Sequence, residues 1–153
     1  MEELKEVEEH VFLSKKENYD FVFESEYERK CFEFKVVYKN KPYIVGFAQT
    51  NNGLSPQAEL HSKFILLGVN DSLIIIDLEQ KTHKKYEVFP VFYQFIVKDN
   101  YVIVIGELSV LIFDNYELKI QKSFDEVIDI QSFNENTLTL RDFNGQMFQI
   151  NLK

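Results

Sequence analysis

The second half of the chain repeats itself, and this constrains its fold more than any other feature. Shifting residues 61–153 by 37 lays Phe64 on Tyr101 and Leu138, Leu73 on Val110 and Met147, and Ile76 on Phe113 and Ile150. Polar positions follow the same shift. Asp77 meets Asp114 and Asn151, and Gln94 meets Gln131. A fixed period of this size marks one supersecondary unit used several times, each copy needing a neighbour to cover its apolar face.

Within the complete copy, four strands are expected at 92–97, 101–105, 110–114 and 119–124. The following copy offers 127–132, 138–141 and 147–151, and the preceding one 64–68, 73–78 and 84–89. Short apolar runs bounded by turn residues are strand-sized. Four such strands in a unit of roughly 40 residues make the pattern of a propeller blade. The runs SLIIIDL at 72–78 and VLIFDNYE at 110–117 resemble the end of a WD-type or quinoprotein-like blade: an apolar strand, an Asp, then a turn. The Trp-Asp and Gly-His pairs of the WD type are absent. Residues 61–153 hold fewer than three units, whereas a closed ring needs at least four. The resemblance therefore implies antiparallel blade-like repeats in an incomplete propeller.

Residues 1–60 do not continue the register, and a separate part is expected there, packed with the repeats as a β meander. Residues 2–9, rich in Glu and Lys, predict a short helix or a frayed terminus, with little helix beyond the first ten residues. From Asp20 the period is two. Phe32, Phe34, Val36 and Tyr38 form an apolar stripe, and Cys31, Glu33 and Lys35 alternate with it on a polar face. Asn40-Lys41-Pro42 predicts a turn, and Tyr43–Gln49 returns as a strand. The loop TNNGLSP at 50–56 marks the boundary between parts 1–60 and 61–153. The chain as a whole reads as all-β, with at least ~40% strand. Fifteen Phe and eight Tyr support this, since aromatic side chains favour pleated, half-buried surfaces.

Charge narrows the partners. The net charge is -8, and residues 1–60 (12 acids, 8 bases) and 61–153 (13 acids, 9 bases) each sum to -4. Arg29 and Arg141 are the two arginines. Nucleic-acid binding through phosphates needs clustered Lys and Arg, so no nucleic-acid partner is expected. An acidic chain fits a basic protein partner, because complementary charge steers encounter. The single cysteine forms no internal disulfide, the acidic amino terminus is not a secretory signal, and no apolar run approaches a membrane helix. A cytoplasmic protein without membrane contact is expected.

Chemistry-bearing motifs are scarce. His10, His61 and His83 are scattered, with no second His or Cys at metal-ligand spacing. Cys31 lacks a nucleophile motif, and no Gly-rich phosphate loop is present. Glu24, Glu26 and Glu28 alternate on what reads as one solvated strand face. Asp77 and Asp114 end apolar strands, where Asp usually caps a turn. No enzyme, metal or cofactor is expected. The alternative is a hydrolase or small-ligand protein whose site is built from scattered loop carboxylates.

Strand alternation then selects one surface. In an antiparallel unit, the turn between its second and third strands lies at the same end as the link to the next unit. Those segments are Val69–Ser72, Phe89–Val91, Gly106–Ser109, Asp125–Glu126 and Phe143–Gln146. They hold Asp71, Glu107, Asp125 and Glu126 without a Lys or Arg, flanked by Phe89 and Phe143. This end is the expected partner-binding surface. In size, acidity, absence of catalytic motifs and incomplete repeats, the chain resembles bacterial toxin-immunity proteins. That resemblance implies a cap for a basic toxin domain, often a nuclease, and assigns no residue roles.

Overall fold

A computed structural model describes residues 2–25, 29–50 and 52–152. Among the described residues the fold is all-β, with 65% strand and one short α-helix. Its strands form four sheets of three or four strands. Two compact units are present: Met1–Asn70 with Ile74–Lys85, and Asp71–Leu73 with Tyr86–Lys153.

The first sheet contains β1 (Glu2–Val7), β2 (Phe21–Phe23), β3 (Arg29–Tyr38) and β4 (Lys41–Thr50), in the order β1-β3-β4-β2. Two expectations are corrected here. Residues 2–7 form a strand rather than a helix, because pairing with β3 sets Leu4 against Phe34 and Val7 against Cys31. The helix α1 lies later, at Glu9–Lys15. Nor is the sheet a meander, since β2 joins the far side of β4 and runs parallel to it. The β3–β4 turn places Lys39 and Asn40 at positive φ, the two-residue geometry that matches the twist of paired strands.

Phe34 and Val36 of β3, with Tyr43, Val45 and Phe47 of β4, share a core with Ile65, Leu67, Val69, Ile74, Ile76 and Leu78. The opposite face of β3 is covered at Cys31 and Glu33, though Val37 at its end stays exposed. Cys31 is buried with Phe12 of α1, Tyr19 and Ala48, which corrects its placement on an open polar face. A strand can read as half-polar and still be covered on both faces when a helix brings partners for its polar groups.

The second sheet follows chain order: β5 (Gln57–His61), β6 (Phe64–Val69), β7 (Ser72–Asp77) and β8 (Thr82–Glu87). Its first strand, QAELH, lacks a continuous apolar run, and periodicity overlooked it. The third sheet comprises β9 (Phe92–Lys98), β10 (Tyr101–Gly106), β11 (Ser109–Asp114) and β12 (Glu117–Ser123). The fourth has three antiparallel strands, β13 (Ile128–Asn134), β14 (Thr137–Asp142) and β15 (Met147–Asn151).

Continuous apolar runs are buried along both faces of β6, β7, β10 and β11. Leu66, Ile74, Ile76, Val102, Val104, Leu111 and Phe113 are buried, whereas Phe64, at the start of its strand, is half-buried. Ile103, Ile105, Val110 and Ile112 pack with Ile128, Leu138, Leu140 and Ile150. Equivalent backbone hydrogen bonds recur along the chain. Leu78 N–H donates to Lys63 O, Asn115 N–H to Asn100 O, and Leu152 N–H to Asn136 O.

Candidate partner-binding end

The second unit gathers the six residues expected at the partner surface onto one row of loops. Val88 N–H donates to Asp71 O at 2.7 Å, joining the β6–β7 turn to the segment after β8. Leu108 N–H donates to Phe89 O at 3.2 Å, and Glu107 N–H to Val91 O at 3.0 Å. Phe124 N–H reaches Leu108 O at 2.9 Å, and Phe143 N–H reaches Val127 O at 2.9 Å. Each turn thus shares its otherwise unpaired backbone groups with the next segment, which holds these short loops in register.

Two serines reinforce the row. Ser109 Oγ donates to Phe89 O at 2.8 Å, and Ser72 Oγ to Asp71 Oδ1 at 3.1 Å. Both are buried. They are one repeat apart, so the 37-residue shift itself was the signal that could have found them. Gly106 permits the close approach: a Cβ there would lie 2.6 Å from Val88 Cγ1 and 3.0 Å from Phe89 O.

The six side chains differ in availability. Phe143 is 83% exposed and Phe89 51%, and Asp71, Asp125 and Glu126 are also exposed. Glu107 is half-buried, and Tyr93 OH donates to its Oε2 at 3.4 Å. Burial, and then the Glu107 carboxylate, push the Tyr93 phenol above its ordinary pKa. Phe143 stands on a closed loop. Asp142 N–H donates to Gln146 O, Asp142 Oδ1 accepts from Gln146 N–H, and Gly145 takes φ +87°.

Arg141 modifies the acidic reading of this end. Its guanidinium lies beside Gly145, with Nη2 3.6 Å from where a Cβ would sit. Together with Val127, Asp129, Gln131 and Phe143 it lines an open groove of about 270 Å³. Turn residues alone do not reveal it, because Arg141 lies within a strand, two residues before the Phe143–Gln146 turn.

The other expected chemistry is largely tied up. Asp77 Oδ1 accepts from Glu79 N–H at 2.9 Å and Gln80 N–H at 3.0 Å, and Lys63 Nζ lies 3.2 Å from Asp77 Oδ2. Burial raises the Asp77 pKa, but these donors outweigh it and hold the carboxyl below its ordinary value. Asp114 is hydrogen-bonded to Asn100. Glu24 pairs with Lys16 and, at 3.0 Å, with Arg29, while Glu26 and Glu28 lie outside the described residues. The His83 ring packs edge-on against Phe23, and His10 Nδ1 lies 3.2 Å from Glu8. Among the described residues there is no group of three or more His, Cys, Asp or Glu placed to hold a metal, and no helix is long and apolar enough to cross a membrane.

One buried acid was missed. Glu33 is fully buried; Tyr19 OH donates to its Oε2 at 2.6 Å and Lys15 Nζ at 3.3 Å, while Oε1 has no hydrogen-bond partner. Desolvation raises its pKa, but the Tyr19 and Lys15 hydrogen bonds outweigh that and lower it overall. Burial, followed by Glu33, drives the Tyr19 phenol well above the ordinary tyrosine range. Burial likewise raises the Cys31 thiol, which disfavours the nucleophilic thiolate.

No protein-family model matches the chain, and no curated protein sequence matches it. Its fold is similar to that of the computationally designed Ika4 protein, seen in a crystal structure: the TM-score is 0.51 at 8% sequence identity, covering 86% of this chain and 90% of that one.

Proposed function

We propose that the chain is a non-enzymatic protein-binding module that docks a basic partner on the loop row of its second unit. The observation that carries this reading is the hydrogen-bonded row that sets exposed Phe89 and Phe143 among Asp71, Glu107, Asp125 and Glu126. Exposed aromatics supply affinity where they enter a partner's pockets, and surrounding carboxylates speed encounter with a cationic surface. The sharpest form of the proposal is an immunity protein of the cytoplasm that caps a basic toxin domain, a nuclease among the candidates. The recurrence of turn hydrogen bonds near a 37-residue interval supports reading the last three sheets as propeller-type blades.

The test is affinity capture from a lysate of the source cell, comparing the wild type with Asp71→Lys/Glu107→Lys at low and moderate salt. A basic protein enriched by the wild type, weakened by salt and lost with the double variant is expected. Equal capture of the same proteins by both chains would refute the proposal.

A further inference from the structure

The sheets differ in how their edges are defended. An edge strand presents unpaired N–H and C=O groups, and charged side chains are the usual guard against pairing with another chain. Here β1 carries Glu2, Glu3, Lys5 and Glu6; β8 carries Lys84, Lys85 and Glu87; β12 carries Glu117, Lys119 and Lys122. Glu59, Lys98 and Asp129 mark the edges β5, β9 and β13. The edge β2 has no charge but is three residues long, itself a safeguard. By contrast β15, MFQIN, has five residues, no charge, no Gly and no Pro, and forms an edge of a sheet that has three strands among the described residues.

We infer that β15 is a pairing edge whose occupant is β15 of a second copy, added antiparallel across a two-fold axis. The sequence is self-complementary in that arrangement. With Gln149 opposite Gln149, Phe148 of each chain faces Ile150 of the other, a favourable aromatic–β-branched pair with no like charges opposed. Phe148 and Ile150 already belong to the apolar cluster of this sheet, so the second copy continues that face across the axis. A strand of five residues gives a small interface, below the ~1,200 Å² of stable complexes, so the dimer is weak and concentration-dependent. The inference rests on the edge and not on the loop row, and Asp71→Lys/Glu107→Lys should leave it unchanged.

Sedimentation from about 10 µM to about 1 mM tests it, a range set by weak-interface affinities. The wild type should rise from 18.2 kDa toward twice that mass. Gln149→Lys, placing like charges opposite each other at an exposed position, should weaken association at least about tenfold without lowering the melting temperature. Gln149→Cys should form a disulfide-linked dimer on mild oxidation, since opposed residues bring Cβ atoms within bridging range. The wild type, whose Cys31 is buried, should not. A wild type that stays monomeric throughout overturns the inference, as does equal self-association of Gln149→Lys. A Gln149→Cys chain that cross-links in a lysate only to a foreign protein overturns it in favour of a partner's strand.

Discussion

The helix-covered face of β3 and the loop row of the second unit both set carboxylates among aromatics, yet the chain treats them in opposite ways. On β3, Glu33 is closed over by the chain itself: Tyr19 and Lys15 bind its carboxylate, and Phe12 and Tyr19 fill the space around Cys31. In the loop row most of the hydrogen bonds are made by backbone and serine groups, with Glu107 bound by Tyr93, while the rings of Phe89 and Phe143 remain exposed. The first region spends its polar groups on its own stability. The second leaves them, with their apolar neighbours, available for another molecule. Substitutions in the two regions should therefore separate cleanly, the first changing stability and the second binding.

The largest effect is expected at Gly46. A Cβ there would lie 2.2 Å from Tyr19 Cδ2 and 2.3 Å from Cε2, so Gly46→Ala must displace the ring that holds Glu33. Overpacking together with a lost buried hydrogen bond should cost about 2–4 kcal/mol in chemical denaturation. An unchanged midpoint and slope would show that Tyr19 does not close this face.

Glu33→Gln should cost less, about 1–2 kcal/mol at neutral pH, because the amide can still accept from Tyr19 but loses the charge-assisted bonds. The folded pKa of Glu33 is lowered, so its stabilisation is present above the ordinary carboxylate range and is lost as pH falls through the folded value. The difference between wild type and variant should shrink from pH 7 toward about pH 3, below the ordinary Glu value of ~4.3. A difference that grows on acidification would contradict the assigned ion pair.

These two regions also differed in legibility. The loop row could be read because strand alternation alone decides which turns share an end, and the continuous runs of β6, β7, β10 and β11 left little doubt about strands. The β3 face could not. Its covering depends on α1 and on Tyr19 reaching back over the sheet, and the alternation of Cys31, Glu33 and Lys35 with aromatics reads the same whether that face meets water or a helix. For the same reason β1 reads as a helix in sequence: six mostly charged residues have no strand pattern of their own and are set by pairing with β3. The parallel contact of β2 with β4 is a non-local choice that three residues cannot announce. Arg141 and Tyr93 were missed because each acts on the loop row from inside a strand.

The smallest effect on stability, and the most direct test of the account, comes from Phe89→Ala/Phe143→Ala. The backbone bonds of the row do not involve these rings, so thermal unfolding should change by less than about 1 kcal/mol. Dissociation of the captured partner, followed by surface plasmon resonance, should accelerate at least about tenfold, since aromatic anchors govern residence time more than encounter. A double variant that keeps both its stability and the wild-type dissociation rate would contradict the claim that this loop row is the binding surface.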